Sequence, residues 1–185
     1  MATKSEHSAK SFSEHDGKIH IYTGNGKGKT SAATGLAIRA AGRGLKVYIG
    51  KFMKGRSSGE DIMLQGLNNI EVEKYGKKSL QKTEKADKEQ AILAHEGLKK
   101  LKEKMHNKSY DIIVADEIFL PLHFGALNLT DILELIEQKP NRIELVMTGR
   151  KAPEEAIREA DLVTTMEKTK HYWDDGIGAR LGIEK

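Results

Sequence analysis

The sequence contains no cysteine. That excludes disulfides, cysteine-ligated zinc and a thiol nucleophile, and it fits a reducing cytoplasm. No apolar run approaches the 18 residues a membrane span needs, and the N-terminus lacks the apolar core of a signal peptide. No internal repeat or low-complexity block interrupts the chain. A large excess of either charge is also lacking. Charged residues make up 31% of the 185, yet the net charge is only +4, too little for a strongly basic nucleic-acid binder. Arginines are few and scattered, so there is no arginine-dense lid of the kind small-molecule kinases carry, and the histidines do not fall at metal-ligand spacings.

What is present is concentrated at TGNGKGKT, residues 23–30. It closes an apolar strand-like run, KIHIY, and opens an alanine-rich helix-like run, SAATGLAIRAA. A glycine-rich turn between strand and helix that ends in Gly-Lys-Thr is a phosphate cradle. Its backbone N–H groups approach phosphate oxygens, and the helix N-terminus adds the positive end of its dipole. Lys29 supplies a point charge, and the hydroxyl of Thr30 is placed for Mg²⁺. Thr23 stands where the standard pattern, G-x-x-x-x-G-K-[ST], has its first glycine, and Gly24 and Gly26 follow one and three positions later.

Residues 1–17 are polar and rich in Ser and Lys. They read as a tail, or as an arm that orders over a site. The rest, 18–185, reads as one domain of ordinary size. Strands are expected at 18–23, 46–52, 70–75, 111–117, 143–149 and within DLVTTME, with 70–75 at an edge. Helices are expected at 29–41, near Ser58, at 84–105, at 128–138 with Asn128 as N-cap, and over APEEAIREA with Pro153 in the first turn. In the 84–105 helix Ala91, Ala94, Leu98, Leu101 and Met105 form a core stripe. Strands alternating with helices predict an α/β fold, a mostly parallel sheet covered on both faces. Ligands then bind beyond the carboxyl ends of its strands.

IIVADE places Asp116 and Glu117 at the tip of a buried strand. Mg²⁺ takes one or two carboxylates besides phosphate and water oxygens. Adjacent residues in extended chain point to opposite faces, so at most one of the pair should face the ion. TGR ends another buried strand and brings Arg150 toward the same edge. His123 and His171 read as surface or packing residues.

The blocks TGNGKGKT-SAA, KFMKG, VADEI…LHFGAL, TGRKAPEEAIREADLVTTME and KHYWDDGIGARLGIE together resemble the ATP:corrinoid adenosyltransferases. The likeness covers nearly everything after residue 17, and Thr23 at the first loop position matches the family's form. The resemblance implies a RecA-like P-loop fold and transfer of the 5′-deoxyadenosyl group of ATP to the cobalt of a reduced, Co(I) corrinoid, with release of triphosphate. It implies that Gly24, Asn25, Gly26, Lys27, Gly28, Lys29 and Thr30 bind the triphosphate with Ser31 assisting and Arg150 as a further contact. It implies Mg²⁺ on Thr30, Asp116 and Glu117, and a catalytic part for Lys29, Thr30 and Glu117. It also implies a cytoplasmic homodimer, an N-terminal segment that can fold over the nucleotide, and a separate flavoprotein reductase. The chain departs from the family at Lys77, Lys78 and Ser79, where aromatics are usual, and at Phe119, Pro121 and Trp173. Phe119 and Trp173 are candidates to rebuild an apolar wall. The alternative is a nucleotide-dependent protein that binds a corrinoid or a protein partner without transferring anything.

Overall fold

Short β-branched and apolar runs form six strands, and every ladder between them is parallel. They are β1 (Ile19–Thr23), β2 (Val47–Phe52), β3 (Ile70–Tyr75), β4 (Ile112–Asp116), β5 (Glu144–Thr148) and β6 (Leu162–Thr165), in the order β3-β2-β4-β5-β1-β6. This computed structural model describes residues 16–77 and 86–184. The tail reading of residues 1–15, and Lys78 and Ser79, fall outside them. Gly17, placed in that tail by sequence, is already docked: its N–H donates to the Asn141 carbonyl at 2.6 Å and its carbonyl accepts from Lys139 Nζ at 2.7 Å.

Side chains alternate across the sheet as strand geometry requires. Val47, Ile49, Ile112 and Val114 face one side, where α1 (Lys29–Ala41) buries Ala33, Ala37 and Ala40 and α2 (Gly59–Leu64) buries Leu64. The alanines let α1 lie close to the sheet. Tyr48, Ile113, Leu145 and Met147 face the other side. They pack there against Leu98, Leu101 and Met105 of α3 (Lys88–His106), Ile132 and Leu135 of α5 (Leu129–Glu137) and Ala156 of α6 (Glu154–Glu159). Helices therefore cover both faces, as expected of an α/β P-loop fold.

The element boundaries follow the local chemistry. Asn128 caps α5 and forms a reciprocal box with Asp131, at 3.0 and 2.8 Å. Asp87 caps α3 by accepting from the Gln90 N–H, so that helix starts at Lys88 rather than 84. Pro153 is the N-cap of α6, just before the first turn. A short helix the sequence reading did not anticipate, α4 (Phe119–His123), follows β4. Phe119 there is fully buried, packed in the core, and so is no part of a ligand wall.

Because the sheet is wholly parallel, six carboxyl ends share one edge. The turn after β1, Glu117 after β4, Arg150 after β5 and the chain leaving β6 all gather there.

Candidate functional site at the carboxyl edge of the sheet

The loop from Gly24 to Gly28 runs from β1 into α1. Thr23 is still strand: its carbonyl accepts from Met166 N–H at 2.8 Å, and its hydroxyl accepts from Ala152 N–H at 3.2 Å. No positive φ is needed there, so no glycine is needed. The turn starts one residue later, at Gly24 (φ 96°), where a Cβ would lie 2.4 Å from the Met166 carbonyl. Gly28 (φ 110°) is the N-cap of α1, in a left-handed conformation that favours glycine. The first N–H groups of α1 then point out of the helix end as free donors.

Lys29 folds back under this loop. Its ammonium donates to the carbonyls of Gly24 at 2.9 Å and Gly26 at 2.7 Å. It is buried, which pushes its pKa down, with the charges of Glu117 and Asp116 opposing and that of Arg150 adding to the effect. An ammonium has three donors. Two hold the loop, leaving one for an anion.

Beneath the loop, Asp116 Oδ1 accepts from Thr30 Oγ1 at 2.9 Å and from Thr148 Oγ1 at 2.7 Å. Thr148 Oγ1 in turn accepts from the Glu117 N–H at 2.9 Å. Asp116 and Thr148 are buried. Thus one hydroxyl at the end of β5 orients the carboxylate at the end of β4 and fixes the turn that follows it. The chain has left the extended conformation at Glu117 (φ 58°), so strand alternation does not govern where that side chain goes. Glu117 lines the cavity above, while Asp116 reaches it from below through Thr30. Burial, and then the neighbouring Asp116 charge, raise the Glu117 pKa.

The cavity is about 590 Å³ and is lined by Gly26 to Ser31, Lys54, Glu60, Glu117, Arg150 and Gly182 to Glu184, among others. Its donor set suits a hard divalent cation, since Thr30 Oγ1 and Asp116 Oδ1 adjoin and Glu117 is on the wall. Among the described residues no group of three or more His, Asp or Glu could hold a metal alone. An ion here would take its remaining oxygens from phosphate and water, the usual habit of Mg²⁺.

On one rim stands a charged cluster that sequence reading missed. Lys51, fully buried, pairs with buried Asp61 and with Glu60 at 2.9 Å. Asp61 also closes the capping box with Ser58 that starts α2. Lys54 bonds Ser58 Oγ at 2.8 Å and Glu60 at 3.1 Å. Burial pushes the Glu60 carboxyl up, but hydrogen bonds from Ser58 and Lys51 outweigh it and bring it down to about 2. KFMKG holds the two lysines and the following RSSGED the other polar residues, but nothing in either tells which lysine is buried.

The opposite wall is the C-terminal tail. Between it and Asn25, Lys27 and Arg150 lies a second cavity of about 630 Å³, lined by His171, Tyr172 and Trp173 among others. Of the predicted residues, Gly26 to Ser31, Glu117 and Arg150 surround the first cavity. Asn25 faces the second, and Asp116 is beneath the floor. Lys77 pairs with Asp87 and Glu89, each at 2.6 Å. His123 is exposed, with Nε2 3.3 Å from Lys151 Nζ. The contributions of Thr148, Lys51, Asp61, Tyr172 and Glu184 are new.

The family of ATP:corrinoid adenosyltransferases BtuR/CobO/CobP matches residues 15–184 of this chain. A corrinoid adenosyltransferase of Pseudomonas aeruginosa is 33% identical over 171 residues, covering 91% of this chain and 83% of the relative. One from Escherichia coli K12 is 30% identical over 169 residues, covering 91% and 85%. One from Sinorhizobium is 30% identical over 188 residues, covering all of this chain and 84% of the relative.

Proposed function

The chain belongs to the ATP:corrinoid adenosyltransferase family, and from that premise we propose that it moves the 5′-deoxyadenosyl group of ATP onto the Co(I) centre of a reduced corrinoid and releases triphosphate. The observation that carries this reading is the cavity itself. A phosphate loop, a buried lysine and a hydroxyl–carboxylate floor converge there, and Arg150 stands at its edge.

In this reading the substrate brings its own nucleophile. The Co(I) electron pair forms the Co–C5′ bond, the C5′–O bond breaks, and the triphosphate leaves with the electron pair of that C5′–O bond. No protein base is required. The protein's work is to position ATP and to neutralise the leaving chain. The Gly26 N–H is taken by the Met166 carbonyl at 2.6 Å, so the other N–H groups of the Gly24–Gly28 loop serve the phosphates, and Asn25 holds the outer side of the loop. Lys27, Lys29 and Arg150 supply positive charge, and Ser31 adds a donor at the first turn of α1. Thr30, Asp116 and Glu117 would hold Mg²⁺, which when bound neutralises charge on the phosphate oxygens. The reading extends to a cytoplasmic homodimer, residues 18–185 acting as one domain, the segment before the docked Gly17 as an arm over the nucleotide, and a flavoprotein as electron donor.

The test is anaerobic turnover of ATP with chemically reduced corrinoids, following the visible spectrum as the Co–C bond forms. Spectral conversion supports transfer. A folded protein that binds ATP and converts no corrinoid overturns it. That outcome would favour the alternative, a corrinoid- or protein-binding carrier. The observation favouring the alternative is Lys77, whose ion pairs with Asp87 and Glu89 put charge where the family has aromatics.

A further inference from the structure

Glu184 is 157 residues from Lys27 in sequence, yet its Oε1 accepts from the Lys27 ammonium at 2.7 Å. The same ammonium donates to Tyr172 Oη at 2.6 Å, and Tyr172 Oη donates to Glu184. Arg180 completes the knot. Its backbone N–H reaches Glu184 Oε2 at 2.7 Å, its Nη2 reaches Oε1 at 3.2 Å, and its guanidinium stacks 4.7 Å from the Tyr172 ring centre. An isolated surface ion pair contributes little. This one differs, because the Glu184 side chain is only 14% exposed and several donors converge on it. Arg180 and Lys27 accordingly hold its carboxyl far below the ordinary range.

We propose that Glu184 is a positioning residue for triphosphate binding, holding the Lys27 ammonium against the phosphate cavity with Tyr172 and Arg180 as supports. The proposal rests on the nucleotide reading of that cavity. Two of the three Lys27 donors are engaged by the tail, and the third remains for a phosphate oxygen. A carboxylate beside a triphosphate would ordinarily repel it. Arg180 removes that objection, because Lys27, Arg180 and Glu184 together carry one net positive charge. Gly182, Ile183 and Glu184 also line the phosphate cavity, so the tail is part of its wall.

The experiment measures Mg·ATP affinity of the full chain by calorimetry, without corrinoid, in a double-mutant cycle. Glu184→Gln weakens affinity about tenfold, the scale of one hydrogen bond to a charged group, and Tyr172→Phe weakens it less. In a Lys27→Ala background neither change has further effect, because the residue they act through is gone. A purely structural tail would instead give the same loss in both backgrounds. That result, or unchanged affinity in Glu184→Gln, overturns the proposal. Should Glu184→Gln fail to fold, the Tyr172→Phe cycle decides by the same criterion. A wild-type chain that binds no Mg·ATP overturns the nucleotide reading and this role with it, whereas wild-type binding with additive losses removes this role alone.

Discussion

Lys27 on the loop and Lys29 at the first position of α1 are two residues apart, and each gives two of its three ammonium donors to the protein. Lys29 is buried and bonds main-chain carbonyls of the preceding loop, beside a floor formed by the half-buried Thr30 and the buried Asp116 and Thr148. Lys27 has a side chain 45% exposed and bonds side chains brought from the end of the chain. The floor is local in sequence at Lys29 and fixed by the centre of the sheet at Asp116 and Thr148. The tail wall joins the exposed Lys27 and Arg180 to the half-buried Tyr172 and Glu184, and the strand that leads to it, β6, is exposed along its length. The difference separates two tasks. One lysine is set by the fold itself, the other by a tail that can be loosened without disturbing the sheet.

The largest expected effect is therefore at the floor. Lys29→Ala loses about 100-fold or more in Mg·ATP affinity, because an anion loses a charge in a partly desolvated site. Calorimetry checks it, and it should exceed the loss from Lys27→Ala. Next comes Thr148→Val, which keeps the shape but strands the Glu117 N–H and removes a donor to Asp116. It should destabilise the protein by about 1–3 kcal/mol in urea unfolding, whereas Tyr172→Phe in the tail should leave the unfolding midpoint nearly unchanged.

Acid sharpens the comparison at the rim. Hydrogen bonds and the Lys51 charge hold the Glu60 carboxyl down at about 2 against burial, and lower Asp61 as well. A depressed carboxylate pKa gives stability that is complete above the unfolded value, near 4. It is lost as pH falls toward the folded value. Stability should decline between about pH 4.5 and 2, and Glu60→Gln should flatten that decline in denaturant titrations. The smallest effect is at the tail. Raising salt screens exposed pairs more than buried ones. Trp173, the single tryptophan, is 62% exposed beside Tyr172. Its emission should shift with salt in the nucleotide-free protein, while far-UV dichroism stays constant.

The fold was readable wherever period and punctuation agreed. β2, β4 and α1 emerge from apolar runs and a glycine-rich turn, and Asn128 marks a helix start by its own chemistry. The α4 turn was not readable, because five residues containing Pro121 carry no helical period. At the site, the loop, Asp116 and Glu117 could be found from local pattern. Thr148 could not, since its role arises only when β4 and β5 pair and bring it to Asp116. Glu184 was missed for the same reason at longer range. Phe119 was misplaced because an aromatic after a strand reads equally well as core or as wall, and only packing decides.

Under the proposed function this loop holds a leaving triphosphate rather than a phosphate about to be attacked. The direct measurement is the phosphate product of anaerobic turnover with reduced corrinoid, resolved by chromatography. Adenosyl transfer gives intact triphosphate in equal amount to adenosylated corrinoid, and none without corrinoid. ADP with inorganic phosphate, formed whether or not corrinoid is present, would contradict it.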